Sequence, residues 1–215
     1  MNKYLLFSSS LFLVSIGAQA VAPVAELKVA GKINVPTCSI SVPDNGVYDL
    51  GKVSSALVQP AAKTSLPPLM KSWVVTCDSQ TYLTITPTDN RSDSVVITTP
   101  GAGVTNHYGL GFVNGTGKIG AFQPHIVNTS TVDGVRVALC KGIPGQCTLQ
   151  AASTYLSKGN QVSWATANNQ LQAGKVFRAD ISIYPDLASS EIMNGAITDN
   201  TKIDGSMTLS FAFAI

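Results

Sequence analysis

Apolar residues recur at every second position through most of the chain, and this two-residue period constrains the fold more than any other feature. It is clearest at 73–77, 135–139, 177–183 and 207–215. Gly, Pro, Asn and Asp separate these runs, and the helical period is limited to one turn at 190–194. Short strands without long helices between them form antiparallel sheets, so we predict an all-β antiparallel sandwich rather than a parallel α/β sheet.

The first twenty residues have the pattern of an export signal. Lys3 is followed by a mostly apolar stretch from Leu5 to Gly17, and Ala18 and Ala20 give the small-x-small site that signal peptidase cleaves. A membrane anchor is the alternative, but the stretch is shorter than the roughly 20 residues that a spanning helix needs. We therefore expect residues 1–20 to be removed, leaving a mature chain without a membrane span.

Four cysteines in an exported chain are expected to form disulfides, because the compartment is oxidising. Three pairings are possible. Cys140 and Cys147 flank a segment whose Gly and Pro residues let the chain reverse, which leaves Cys38 to pair with Cys77. A zinc site is the alternative, but neither histidine stands at ligand spacing from a cysteine pair, and we expect no metal.

Composition and motifs give little support to catalysis or nucleic-acid binding. The chain has 14 Lys and Arg against 12 Asp and Glu, with no basic cluster that could neutralise phosphates. His107 and His125 lie in no catalytic pattern and are interpreted as surface or turn residues. The run Asp89–Asp93 is interpreted as a turn with local pairing of Arg91 rather than a cation site. We expect neither a cofactor nor enzymatic activity, and a hydrolase is the least favoured function.

No linker divides the mature chain. We predict an N-terminal extension or first strand at 21–35, followed by a single sandwich domain at 36–215. Residues 140–175 carry the weakest pattern and are interpreted as a surface excursion with one strand around 162–164.

Several short motifs, in their order and spacing, resemble the subunits of bacterial chaperone–usher fimbriae. An alternating segment at 27–33 precedes Pro36-Thr-Cys38, Tyr48-Asp-Leu-Gly51 follows, and Cys77 lies within Val-Thr-Cys-Asp. Within that family the chain is most similar to a little-characterised β-fimbrial, periplasmic fimbrial-like branch. The features shared with that branch are Val75–Asp78, Asp89–Arg91, Tyr108–Gly111, Lys118–Ala121 and Asp204–Ser210.

The resemblance implies an immunoglobulin-like sandwich that lacks its final strand and is completed by a strand from another protein. The expected donor residues are Leu27, Val29 and Ile33, with Gly31 where a groove pocket is too shallow for a Cβ atom. The alternative is that this stretch is the first strand of a complete domain. The expected strand beside the open groove, where a chaperone or neighbouring subunit binds, presents Met207, Leu209, Phe211, Phe213 and Ile215 on one face.

The resemblance therefore predicts a structural subunit of a surface fimbria that contributes to cell adhesion. Its expected partners are a periplasmic chaperone, an outer-membrane usher and neighbouring subunits. The expected location is the periplasm during assembly and the cell-surface fimbrium afterwards. The alternative is a monomeric exported binding or accessory protein that has the same sandwich and does not polymerise.

Overall fold

The structure is a computed structural model that describes residues 24–33, 35–127, 129–198 and 200–214. The chain divides into two compact units, Met1–Asn34 and Val35–Ile215. Ala18, Ala20 and the rest of the expected signal segment lie outside the described residues, as does Ile215. Within the described ranges, no helix is long and apolar enough to cross a bilayer.

In the first unit, residues 24–33 are exposed and form no regular secondary structure. The alternation at 27–33 therefore does not form a strand in this chain, contrary to the prediction from its two-residue period. An isolated stretch of strand-forming residues has no hydrogen-bonding partner of its own, so its conformation depends on what it pairs with.

The second unit is built from β-strands and short 3-10 helices. The 3-10 helices are Pro43–Gly46, Ser55–Leu57, Ser92–Ser94 and Val104–Asn106. The strands of the described residues are β1 (Cys38–Ser41), β2 (Thr64–Ser65), β3 (Leu69–Thr81), β4 (Leu83–Asp89), β5 (Tyr108–Gly109), β6 (Phe112–Val113), β7 (Gly117–Lys118), β8 (Gly120–Ile126), β9 (Thr131–Val132), β10 (Val135–Arg136), β11 (Ala138–Gly142), β12 (Thr148–Gln150), β13 (Thr154–Tyr155), β14 (Gln161–Ala167), β15 (Gln170–Leu171), β16 (Gly174–Leu187) and β17 (Met207–Phe213).

The strands form two principal antiparallel sheets. The first has the order β1-β3-β16-β8-β13, and the second has the order β12-β11-β14-β4-β17. Short strands extend both sheets at their margins, and β6 pairs with β7 in a separate small ribbon. The prediction of an all-β antiparallel sandwich is confirmed.

The chain passes from the first sheet to the second at a single residue, Tyr82. Val75 and Cys77 on β3 and Leu83 and Ile85 on β4 are buried, so the same alternation continues through the crossing. All four belong to the larger core cluster, where the rings of Trp164 and Phe177 lie 5.1 Å apart between the sheets. The two-residue period is thus the pattern of inward-facing residues that a sandwich requires.

Residues 140–175 are an integral part of the second sheet, which corrects the interpretation of this region as a surface excursion. Strand β14 lies between β11 and β4, and its Trp164 is 1% exposed. The many Ala, Ser, Asn and Gln residues lie largely in the turns around β12, β13 and β15. The strand predicted around 162–164 is therefore present as β14, but its place between two other strands of the sheet was not predicted from the composition of this region.

Both predicted disulfides are confirmed. Cys38 and Cys77 bridge β1 and β3 at directly paired positions. Cys140 on β11 bridges to Cys147, just before β12. No free cysteine occurs in the described part of the chain.

Two carboxylates are buried on the outer face of the first sheet and held by hydrogen bonds. Asp186 accepts bonds from Lys63 Nζ, Ser65 Oγ and Thr98 Oγ1 at 2.8, 2.6 and 2.8 Å. Burial acts to raise the pKa of Asp186, but these bonds outweigh burial and lower it below its ordinary value. Asp180 has the same balance through Ser72, Thr129 and Arg178, and its pKa is also lowered.

Candidate functional site

The sandwich has an open edge at its last strand. In chain order, β1, β3, β4, β8, β16 and β17 correspond to strands A to F of an immunoglobulin-like domain, with A-B-E-D in one sheet and C-F in the other. In such a domain strand G pairs with the free side of strand F. Among the described strands β17 pairs with β4 alone, so the G position beside it is unfilled.

Strand β17 alternates as its sequence predicts, but its inward face is only partly covered. Met207, Leu209 and Phe211 are half-buried and pack against the larger core cluster, whereas Thr208 and Ser210 are exposed. Phe213 is exposed at the end of the strand. A strand whose inward residues stay half-exposed has an apolar face that is missing a neighbour.

An apolar groove of about 1290 Å³ runs beside β17. One wall is the segment 46–58, the other is formed by 197–209, and the floor belongs to the first sheet and the β5–β8 region. The apolar side chains that line the groove are Val47, Tyr48, Leu50, Val53, Val58, Trp73, Leu110, Ile119, Phe122, Ile183, Pro185, Leu187, Ile197, Ile203, Met207 and Leu209.

The floor is a second core cluster. Leu110, Ile119, Phe122 and Leu187 are buried within it, so its shape is fixed by packing below the groove. Gly205 crosses this floor closely, because an added Cβ would lie 2.8 Å from Leu110 Cδ2 and 3.1 Å from Phe122 Cε1. Larger side chains at position 205 would therefore push the wall away from the floor.

Tyr48 fixes the opposite wall. Its hydroxyl donates to the carbonyl oxygen of Ile181 at 3.0 Å and accepts from Trp73 Nε1 at 3.0 Å. Burial raises the pKa of Tyr48 to about 12, although the bond from Trp73 acts in the opposite direction. Tyr48 thus stays neutral at physiological pH and holds the segment 46–58 against β16. In the sequence, Tyr48–Gly51 is recognisable only as part of the fimbrial resemblance, and its place in the groove wall was not predicted.

A polar depression of about 740 Å³ lies at the end of the groove where β17 begins. It shares Thr201 and Lys202 with the groove, and Arg91, Asp93 and Asp204 also line it. The interpretation of Asp89–Asp93 as a turn agrees with a bond from the Arg91 backbone N–H to Asp89 Oδ1 at 2.8 Å. The Arg91 side chain, however, pairs with the distant Asp204 at 2.8 Å rather than locally.

The expected donor residues are displayed in the first unit. Leu27 and Val29 are 86% and 92% exposed, Ile33 is fully exposed, and Gly31 has open space around it. Lys28, Ala30 and Lys32 alternate with them. The structure therefore places these apolar side chains in solvent rather than in a core.

The sequence indicates surface or turn positions for both histidines, and the structure corrects this in part. Neither lies at the surface, although His107 follows the 3-10 helix Val104–Asn106 in a turn. His107 is fully buried, with Nδ1 at 2.8 Å from the Gly103 carbonyl oxygen. His125 is half-buried between the rings of Tyr155 and Tyr184, and burial, with Lys141 nearby, lowers its pKa. In the described ranges, no three His, Cys, Asp or Glu side chains converge in a geometry that could hold a metal ion.

The comparison with family models finds one similarity. A family described as "Protein of unknown function (DUF1120)" matches residues 27–123. The match covers the alternating segment at 27–33, the groove wall at 46–58 and most of the groove floor, but not β17. No curated protein matches the chain.

Proposed function

We propose that this chain is a structural subunit of a fibre on the cell surface, in which each sandwich is completed by the N-terminal segment of another copy. The observation that carries the proposal is the apolar groove beside β17, at the position of the unfilled strand G. An open strand edge next to an apolar groove is a template for strand addition, in which backbone bonds supply affinity and alternate side chains fill pockets.

The segment at 24–33 has the chemistry of a strand that could fill this groove. Leu27, Val29 and Ile33 share one face, and burying such side chains contributes about 1.5–3 kcal/mol each. The opposite face carries Lys28 and Lys32, which would remain in solvent. Strand β17 is seven residues long, so Leu27–Ile33 matches its length residue for residue.

Chain length favours a donor from another copy. Strand G runs antiparallel to strand F, so a donor in that position has Ile33 at the end of the groove where Met207 lies. Thr37 is tied to Asp78 at the opposite end of the sandwich, about 20 Å away along β4. The chain from Ile33 to Thr37 reaches about 14 Å at most. An antiparallel donor therefore serves a neighbour, and repetition of this exchange produces a fibre.

The proposal includes export, assembly in the periplasm by a chaperone that covers the groove first, passage through an outer-membrane usher, and a contribution to cell adhesion. Before assembly the groove exposes apolar surface that would otherwise cause aggregation, which is the physical reason for a chaperone. The role of residues 21–35 as a detachable strand, separate from the sandwich at 36–215, belongs to the same proposal.

The test is the oligomeric state of the wild-type chain and of a chain lacking residues 21–30, each expressed with and without a periplasmic fimbrial chaperone. Size-exclusion chromatography with light scattering should show polymers for wild type, whereas the truncated chain should remain in chaperone complexes. Val29→Arg should behave like the truncation, because a charge in an apolar pocket costs several kcal/mol, and Ala30→Arg on the opposite face is the matched control.

A second measurement uses a synthetic peptide of residues 24–35 added to the truncated chain. The peptide should raise the melting temperature in proportion to its concentration, and the Val29→Arg peptide should not. Two results together would refute the fibre-subunit proposal: a wild-type chain that folds alone as a stable monomer, and a truncated chain whose melting temperature does not change with the peptide. These results would favour the monomeric exported accessory protein.

A further inference from the structure

The Met207 end of the sandwich is built differently from the Tyr82 end. We define the Met207 end as residues 90–94, 111–114, 201, 202 and 204, which line the polar depression. The Tyr82 end is the region where β3 crosses to β4 and β17 finishes. It comprises the hydrogen-bonded pairs Thr37–Asp78 and Tyr82–Ala214, with Gln80 exposed near the end of β3. The depression adjoins the groove, since Thr201 and Lys202 line both, so a strand that leaves the groove at this end emerges beside the depression.

The covalent chain determines which part of the donor copy lies at the Met207 end of the acceptor. This step rests on the proposed function: an antiparallel donor leaves the acceptor's groove at the Met207 end with Ile33, and four residues later the chain reaches Thr37 of the donor's own sandwich. Thr37 and Asp78 are joined by two hydrogen bonds, from Thr37 N to Asp78 Oδ1 at 3.1 Å and from Asp78 N to Thr37 O at 3.0 Å. The donor's Tyr82 end is therefore held within about 14 Å of the acceptor's depression.

The two ends offer surfaces suited to contact. Tyr82 is 44% exposed, although its backbone is fixed because its carbonyl oxygen accepts from Ala214 N at 3.1 Å. Phe112 is exposed at the depression, next to Val113 and Asn114. A tyrosine supplies apolar area and a polar tip at low entropic cost, and such residues dominate the centres of interfaces. The depression carries both signs of charge, with Arg91 and Lys202 against Asp93 and Asp204, so its net charge does not repel the Tyr82 end of another copy.

We propose that the depression at the Met207 end is a second docking surface between consecutive copies of this chain, and that it receives the Tyr82 end of the copy whose N-terminal segment fills the groove. The contact orients successive sandwiches and stiffens the joint that the four-residue connection would otherwise leave free. It also makes the fibre polar, because a Met207 end always meets a Tyr82 end.

Cysteine cross-linking in fibres tests this arrangement. The native cysteines of the described residues are all paired, so Asp93→Cys and Gln80→Cys introduce the reactive thiols. Both positions are exposed, one at each end of the sandwich. Fibres of the double variant, treated with a flexible bismaleimide, should give a ladder of covalent oligomers on denaturing gels. Fibres of either single variant should give monomers.

The single variants report on the alternatives. Covalent dimers from Gln80→Cys alone would mean that two Tyr82 ends face each other, as a parallel donor requires, and would overturn the proposal. Intact fibres of the double variant without cross-links would also overturn it, while leaving the fibre function in place. If the chain forms no polymer and its truncated form does not bind the peptide, the fibre function and the docking surface are refuted together.

Side-chain removal gives an independent measurement. Tyr82→Ala and Phe112→Ala should each speed the release of subunits from fibres in denaturant about tenfold. Tyr184→Ala is the matched control, because Tyr184 is also 44% exposed but packs against His125 on the first sheet and lines neither the depression nor the Tyr82 end. The monomeric melting temperature of Tyr82→Ala distinguishes a loss of docking from a loss of folding. Equal release rates for Tyr82→Ala and Tyr184→Ala would overturn the proposal.

Discussion

The two disulfides should differ in their contribution to stability in a way that the loop lengths fix. The paired cysteines are 39 and 7 residues apart, and the chain-entropy relation gives about 4 kcal/mol for Cys38–Cys77 and about 2.5 kcal/mol for Cys140–Cys147. Each bridge joins one buried cysteine to one partly exposed partner, so the packing lost on substitution by alanine is similar. We therefore expect a difference of about 1.5 kcal/mol between the two double-alanine variants.

Urea unfolding of the chain lacking residues 21–30, which should not polymerise, measures this difference. For a slope of about 2 kcal/mol per molar urea, the variant without Cys38–Cys77 should unfold at a midpoint about 0.7 M below the variant without Cys140–Cys147. Far-ultraviolet circular dichroism of both variants at zero urea is the control for a folded starting state. Equal midpoints, or a lower midpoint for the Cys140–Cys147 variant, would refute the argument from loop length.

Three further results are expected. Phe211→Asp should destabilise the chain by about 3 kcal/mol in urea unfolding, because it places a carboxylate among half-buried apolar groups. Aspartate at the outward-facing position 210, in place of Ser210, should cost far less. Equal costs would contradict the orientation of β17. Because the pKa of Asp186 is lowered in the folded chain, its ionised carboxylate stabilises the fold above about pH 4, and this contribution is lost as the pH falls through the folded-state pKa. Asp186→Asn should therefore reduce the free energy of unfolding at pH 7 and flatten the acid side of a curve of stability against pH. Tyr48→Phe should lower the free energy of unfolding by about 1–3 kcal/mol because it leaves the Trp73 N–H without its acceptor, and an unchanged thermal midpoint would contradict the role of that bond.

The sequence predicted the sandwich because the two-residue period records which side chains face the core. The runs at β3, β4 and β17 all present buried or half-buried residues at the expected positions. Their boundaries were less predictable. The alternation is clear only at 73–77 and 177–183, but β3 continues to Thr81 and β16 continues to Leu187. Pro185 cannot donate a backbone hydrogen bond, but its carbonyl oxygen still accepts one from Leu66 N at 2.9 Å.

The groove was predictable only in part. The alternation of Met207, Leu209 and Phe211 indicated one wall, but the floor is assembled from residues far apart in the chain, such as Leu110 and Ile183. Leu110 shows no strand period of its own, since it lies between β5 and β6. Its role follows from the hydrogen bond between Asp204 N and the Leu110 carbonyl oxygen at 3.2 Å, a contact that no local pattern encodes.

The position of the Cys38–Cys77 bridge has a mechanical consequence for the proposed fibre. Tension along the fibre would enter each sandwich through the backbone at Thr37, one residue before Cys38. β1 is a four-residue edge strand, and hydrogen bonds alone would let it peel from β3 one pair at a time. The disulfide joins the first residue of β1 to the thirteen-residue strand β3, so the load passes through a covalent bond into the middle of the sheet. Under reducing conditions the same tension would break the hydrogen bonds between β1 and β3 one pair after another, and the connection between subunits would fail at a lower force.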